Sequence, residues 1–343
     1  MKNKIPESGE EVDAKLSEPD AGLVSWLKGT RGDFGVLGSG GKMGTTFAQM
    51  LVRGLKEAGL ERRVYAVSRY SRGGHRAYHE GLGMEALAAD LGEPEAVESL
   101  PEMENIVFLV GEKFGTSDSP ERAWIQNVII PGLVARRYPK SRILVLSTGC
   151  VYPFEAVTGE GSTEEDLPEP VGEYAYTCLG RERVFEYFSR KNGTPVSIAR
   201  LNYANEYRYG VLVDIARRVY GEEPVDLSTP YVNVIWQKDA VTRCLQCLRH
   251  ADSPPRVINI TGMEKASVKE LAEGFGRFFG KTPSFRGEPS DSAWLSSAAL
   301  SGQLFGPVET GLKTMVERIG GYIERGGELL GKPTKFEVRS GKF

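Results

Sequence analysis

The chain has 343 residues, enough for one large α/β unit or two fused lobes. Hydrophobic residues at 40% and charged residues at 26% are ordinary globular usage, which excludes a disordered, collagenous or coiled-coil protein. A formal charge of −3 without one-sided basic clusters argues against a nucleic-acid partner; no apolar run approaches the roughly 20 residues of a bilayer span, and the charged start is unlike a secretory signal, so no membrane partner and a cytoplasmic location are expected.

Met1 to about Asp20 is rich in Glu, Lys, Ser and Asp without apolar periodicity and reads as a mobile arm, part of an amino-terminal extension over residues 1–30. From Gly32 short apolar runs alternate with amphipathic stretches of helix length, the signature of repeated βαβ units and a mostly parallel sheet. Strands are expected at Phe34–Leu37, Val64–Val67, Met84–Ala89, Ile106–Val110, Ile143–Ser147, Ser197–Leu201 and Val257–Ile260. Helices are expected near Thr45–Ala58, Glu121–Tyr138, Tyr174–Lys191 and Ala240–Leu248. After Leu201 the alternation gives way to aromatic and Gly/Pro-containing sequence, with amphipathic segments Val268–Phe279 and Gly311–Arg325. The expected division is a dinucleotide-binding domain over 31–202 and a smaller carboxy-terminal lobe over 203–343, with about 232–260 returning to the first domain.

Gly38-Ser39-Gly40-Gly41-Lys42-Met43-Gly44 follows the first strand and opens the first helix. Glycines in that context let the backbone turn tightly and approach a pyrophosphate at the helix amino terminus, so the turn is expected to bind a nicotinamide dinucleotide. The second strand ends in Val67-Ser68-Arg69, where a site for NAD usually presents a carboxylate to the ribose 2′-hydroxyl. A hydroxyl and a guanidinium there, with Arg72 and Lys42 nearby, suit a 2′-phosphate, which favours NADP over the alternative, NAD.

Four cysteines, Cys150, Cys178, Cys244 and Cys247, are too few and too unevenly spaced for a secreted disulfide framework, and reduced thiols are expected. Cys244-x-x-Cys247-x-x-His250 has metal-like spacing but sits inside a helical pattern with no second ligand pair, and His75-x-x-x-His79 is flanked by glycines that indicate a loop. No metal is expected.

A glycine turn of this spacing, Ala89-Asp90-Leu91 after the third strand, Asn127 in a helix, the run Ser147-Thr148-Gly149-Cys150-Val151-Tyr152, and Tyr174 at the start of a helix together resemble the extended short-chain dehydrogenase/reductases, the NAD-dependent epimerase/dehydratases, from about Gly32 to Arg325. The resemblance implies a doubly wound parallel Rossmann sheet with a smaller carboxy-terminal substrate lobe. It implies that Asp90, Leu91 and Val110 lie along the cofactor, that Thr148 hydrogen-bonds the reacting oxygen and that Tyr174 is the acid/base.

Such chemistry brings a hydroxyl donor and a phenol together near the nicotinamide, and the phenolate must be stabilised because a free phenol titrates near 10. In that family a lysine one helical turn after the tyrosine supplies the charge. Here the position is Cys178. Three readings stay open: Arg181 on the same helical face provides part of the field, another group on the substrate side moves the proton, or catalysis has been lost.

Asn205-Glu206-Tyr207-Arg208-Tyr209 clusters polar and aromatic groups that suit a carbohydrate-like substrate. The expected function is an NADP(H)-linked oxidoreductase or epimerase of a sugar, sugar acid or nucleotide-linked sugar, working as a homodimer through Glu121–Tyr138 and Tyr174–Lys191, with Trp124, Ile125, Val128, Val184 and Phe188 in contact. The alternative is a catalytically silent NAD(P)-binding sensor or interaction protein.

Overall fold

A computed structural model describes residues 5–342. At its centre lie seven parallel strands, numbered here β1 Phe34–Leu37, β2 Val64–Ser68, β3 Glu85–Ala88, β4 Asn105–Phe108, β5 Arg142–Thr148, β6 Val196–Leu201 and β7 Arg256–Ile260. Their order across the sheet is β3-β2-β1-β4-β5-β6-β7. The strands read as nearly continuous apolar runs because helices cover both faces. Alternate residues feed two cores. Val36, Ala66, Val107 and Leu144 pack with residues of the helices Gly44–Glu57 and Gln237–Cys247, while Leu37, Val67, Ile106 and Val145 pack with residues of Ile130–Arg137 and Gly172–Asn192. The direction of winding reverses between β1 and β4, and a crevice opens beyond their carboxyl ends.

After β6 the helices Val211–Tyr220, Val268–Phe279 and Leu312–Glu324 gather around Ile215, Phe275 and Ile319 into a separate core. The helix Gln237–Cys247 and β7 rejoin the sheet, and Cys244 and Cys247 are fully buried there with thiols pushed upward by that burial. No helix among the described residues is long and apolar enough to cross a membrane.

Three local expectations are corrected. The expected mobile arm contains a helix, Gly9–Leu16, capped by Ser8, whose hydroxyl accepts the Glu11 N–H. Val12 and Leu16, one turn apart, are its only buried apolar residues and dock on the second core, too short a stripe to register as periodicity. The first four residues of that arm lie outside the described residues. A second helix, Ala21–Gly29, leads into β1.

His75–Gly81 is a helix and not a loop, with Gly74 in the left-handed conformation just before it. Its fold is set by His79, which is fully buried between the Thr45 hydroxyl and the Tyr70 hydroxyl, each at 2.9 Å. The third difference is inside the expected helix Glu121–Tyr138. It runs as Pro120–Trp124, a π turn Ile125–Ile129 and Ile130–Arg137. Pro131 has no N–H to continue a regular ladder, and the wider turn carries Asn127, fully buried, toward the crevice.

Candidate functional site

The crevice has two compartments that share one wall. The first is a groove of about 270 Å³ lined by Gly38, Gly40, Gly41, Ser68, Arg69 and Asp90, with Leu91 and Val110 along its floor. Gly38 has φ +93, and a Cβ there would meet the backbone of Leu109 and Val110, so only glycine lets β1 and β4 approach this closely. A Cβ on Gly44 would collide with the backbone of Ser39, which fixes where the following helix starts. That helix has no side-chain cap, so its first N–H groups are left to a ligand or water. Ser39 is buried beneath the groove, its hydroxyl donating to the Val67 carbonyl. Arg69 and Arg72 are exposed at the rim.

The second compartment is a cavity of about 200 Å³ whose walls include Lys42, Met43, Lys113, Thr148, Tyr174 and Tyr209. The glycine turn therefore divides its residues, Gly38 to Gly41 toward the groove and Lys42 with Met43 toward the cavity. Lys42 does not reach Ser68 and Arg69. Its ammonium stands 3.0 Å from the centroid of the Tyr209 ring, a cation–π contact, and crowding by protein around that ammonium, reinforced by Lys113, lowers it to about 7.

Thr148 ends β5 and is buried; its hydroxyl accepts the Cys150 N–H at 3.2 Å and hydrogen-bonds with Tyr174. Enclosure raises the Tyr174 phenol well above 10, and Cys178 and Cys150 push the same way, while Arg181 and Thr148 favour the phenolate. Cys178 is fully buried one turn along the helix, and burial lifts its thiol to about 11, so it is neutral at pH 7. Arg181, two turns from Tyr174, spends its fork on the Leu146 carbonyl (2.8 Å) and Asn127 Oδ1 (2.6 Å).

Asn127 ties these elements together. Its Oδ1 accepts the Glu112 N–H at 2.9 Å, and its Nδ2 donates to the Glu112 carbonyl at 3.0 Å and to the Thr177 hydroxyl at 2.9 Å. Below the site, Glu182 and Arg200 form a buried pair (2.7 Å) that also takes the Ser147 hydroxyl. The carboxy-terminal segment closes the cavity: Thr334 lines it, bonds Asp214 through both N–H (2.7 Å) and hydroxyl (2.6 Å), and receives a long contact from the Lys113 ammonium at its carbonyl (3.5 Å).

Of the expected carbohydrate-binding cluster only Tyr209 reaches this cavity. Asn205 is a turn-former, with Oδ1 accepting the Leu212 N–H and Nδ2 donating to the Tyr203 carbonyl. Glu206 is neutralised by Arg208, which also grips Asp13 of the amino-terminal helix at 2.8 Å, and Tyr207 is packed against Trp236 and Tyr322. None of these four lines the cavity: Asn205 and Glu206 are taken up by near neighbours, and Tyr207 and Arg208 by distant segments. Lys113, Tyr203 and Thr334 line the cavity and carry no motif that sequence reasoning could use. Tyr203 holds φ 44, a strained conformation for a bulky residue, and Tyr70 at the groove holds φ 49.

A doubly wound sheet with a glycine turn at its switch point and a hydroxyl–phenol pair beside it defines a Rossmann-type α/β protein with a smaller second lobe. The model of the NAD dependent epimerase/dehydratase family matches residues 36–261, and the chain belongs to that family. No curated protein matches the chain by sequence. Among solved structures, UDP-glucose 4-epimerase from Thermotoga maritima superposes with TM-score 0.71 at 19% identity, covering 86% of this chain and 99% of that one. MoeE5 in complex with UDP-glucuronic acid and NAD gives 0.68 at 20% identity, covering 86% and 100%. UDP-N-acetylglucosamine 4-epimerase from Bacillus cereus gives 0.65 at 19%, covering 85% and 99%.

Proposed function

We propose that this protein is a nicotinamide-dinucleotide-dependent oxidoreductase or epimerase of a sugar, sugar acid or nucleotide-linked sugar. The observation that carries the reading is the shared wall: one glycine turn borders both a groove of dinucleotide character and a cavity in which Thr148 and Tyr174 are hydrogen-bonded. Family membership and the sugar nucleotides bound by the structural neighbours support it.

The dinucleotide would lie with its pyrophosphate over Gly38 to Gly41 and the uncapped helix start, and with its adenosine between Ser68, Arg69, Asp90 and Leu91. When bound it supplies hydride transfer at carbon. Thr148 would hold the reacting oxygen and Tyr174 would take or return its proton. Exposed Arg69 and the hydroxyl of Ser68 favour NADP over NAD. Lys42 belongs in this reading to the substrate side.

A homodimer is part of the reading. Trp124, Ile125, Ile129, Tyr176 and Tyr187 leave an exposed apolar face on the π-turn helix and on Gly172–Asn192, where isolated helices would ordinarily be polar. The second reading, a catalytically silent dinucleotide-binding sensor, is favoured by the buried neutral thiol of Cys178 one turn after Tyr174, where the family resemblance leads one to expect a lysine.

The deciding experiment measures NADP and NAD binding by calorimetry, then turnover on a panel of UDP-sugars and sugar acids for the natural protein, Tyr174→Phe and Thr148→Val. Losses of about 100- to 10,000-fold in kcat for Tyr174→Phe support the enzyme. Tight dinucleotide binding without turnover supports the sensor.

A further inference from the structure

We propose that Lys113, carried by the loop after β4, supplies the positive charge that lets Tyr174 work as a proton acceptor. The inference rests on the enzymatic reading of the site but concerns only residues of this chain.

The Lys113 ammonium lies 5.7 Å from the centroid of the Tyr174 ring, and both side chains wall the same cavity as Thr148. It is also near Cys178 on the tyrosine's own helix and Cys150 just after β5, which would add to the effect of burial against a phenolate at Tyr174 if they ionised. A single ammonium thus lies near the phenol and both thiols. Burial lowers the Lys113 ammonium from its ordinary value, Cys150, Cys178 and Asp214 act to restore it, and Lys335 and Lys42 oppose its charge.

Lys113 is held there by its backbone. Asn127 fastens both main-chain groups of Glu112, the preceding residue, and the Thr116 hydroxyl donates to the Lys113 carbonyl at 3.1 Å. The Glu112 carboxylate is in turn paired with Arg122 at 3.1 Å. A loop gripped on both sides of one residue presents that residue's side chain from a fixed origin, which is what an electrostatic role demands.

The other cations near the phenol are committed differently. Arg181 favours the phenolate but its fork is occupied by the Leu146 carbonyl and Asn127, and Lys42 is stacked on Tyr209. Burial alone would keep Tyr174 protonated at neutral pH. With Lys113 charged, the proton passes from a substrate hydroxyl to the Tyr174 oxygen, and Lys113 neither gains nor loses one. It acts through Tyr174 and is a positioning residue.

The test reads the phenol directly. Protein labelled with ¹³C at the tyrosine Cζ is titrated with saturating NADP, Tyr174 being assigned by the resonance lost in Tyr174→Phe. The expected result is titration of Tyr174 below pH 11, an upward shift of at least one pH unit in Lys113→Met, little shift in Lys113→Arg, and return toward the natural value in Lys113→Met/Cys178→Lys. A Tyr174 that stays a phenol to pH 11 in the natural protein, or titrates identically in folded Lys113→Met, overturns the proposal. If Lys113→Met does not fold, a shift absent from Lys113→Gln overturns it equally. On an active sugar substrate, Lys113→Met should lower kcat about 10- to 100-fold with KM within threefold, and the double variant should recover most of it. A phenol that behaves as expected in a protein that turns over no sugar leaves Lys113 assigned and removes the substrate reading alone.

Discussion

Asn127 holds Glu112 by both of its backbone groups, accepting the N–H at 2.9 Å and donating to the carbonyl at 3.0 Å, while the same Oδ1 receives Arg181. Its side chain is fully buried, so each of those partners depends on it. Asn127→Leu leaves an N–H, a carbonyl and one arm of a guanidinium unpaired and should cost about 2–4 kcal/mol. Urea denaturation reads the loss, and hydrogen exchange should rise in the loop at residues 111–114 before it rises in the sheet.

The pair Glu182–Arg200 beneath β5 and β6 is almost wholly buried, with side-chain exposures of 3% and 5%. Removing one charge strands the other, so Arg200→Met and Glu182→Leu should each destabilise by about 3–5 kcal/mol. The double variant should lose less than the sum of the two, since no charge is then left behind. A strictly additive double-mutant cycle would show that the pair is not coupled.

His79 gives the fold a pH dependence of definite sign. Burial, then His75, lowers its imidazole to about 4, against 6.5 unperturbed. Between those values the unfolded chain binds a proton that the folded chain refuses. Stability is therefore complete above pH 6.5 and falls as pH drops toward 4, by about 3 kcal/mol in all. His79→Gln, which keeps a donor and an acceptor between Thr45 and Tyr70, should flatten the Tm profile across that window.

Arg69 tests the cofactor. It is exposed on the rim of the groove beside Ser68. Arg69→Ala should lower the ratio of NADP to NAD affinity about tenfold, because the charge-assisted contact to a 2′-phosphate is lost while the rest of the groove is unchanged. An unaltered ratio removes the 2′-phosphate argument.

The parallel sheet was legible because each strand is an apolar run between turn residues, and the groove was legible because its glycines and Ser68, Arg69, Asp90 and Leu91 are contiguous with strand ends. The cavity was not. Lys113 and Thr334 enter it from loops without any local pattern, and Lys42 looks in sequence like part of the cofactor turn although its ammonium points away to Tyr209. Glu206 and Arg208 had the composition of a binding site, yet Glu206 is taken by Arg208 and Arg208 in turn by Asp13, 195 residues away. The amino-terminal helix escaped notice for a related reason: Val12 and Leu16 acquire meaning only through the second-lobe core they complete.

The segment carrying Thr334 continues until Gly341 presses on Val171 and Gly172, at the start of the helix that bears Tyr174. One wall of the cavity is thus contributed by Thr334 in this segment and another by Lys42. The compartment therefore closes only when chain 221 residues apart, at Lys113 and Thr334, has come together, and cleavage or displacement of the segment around Thr334 acts directly on the wall of the site.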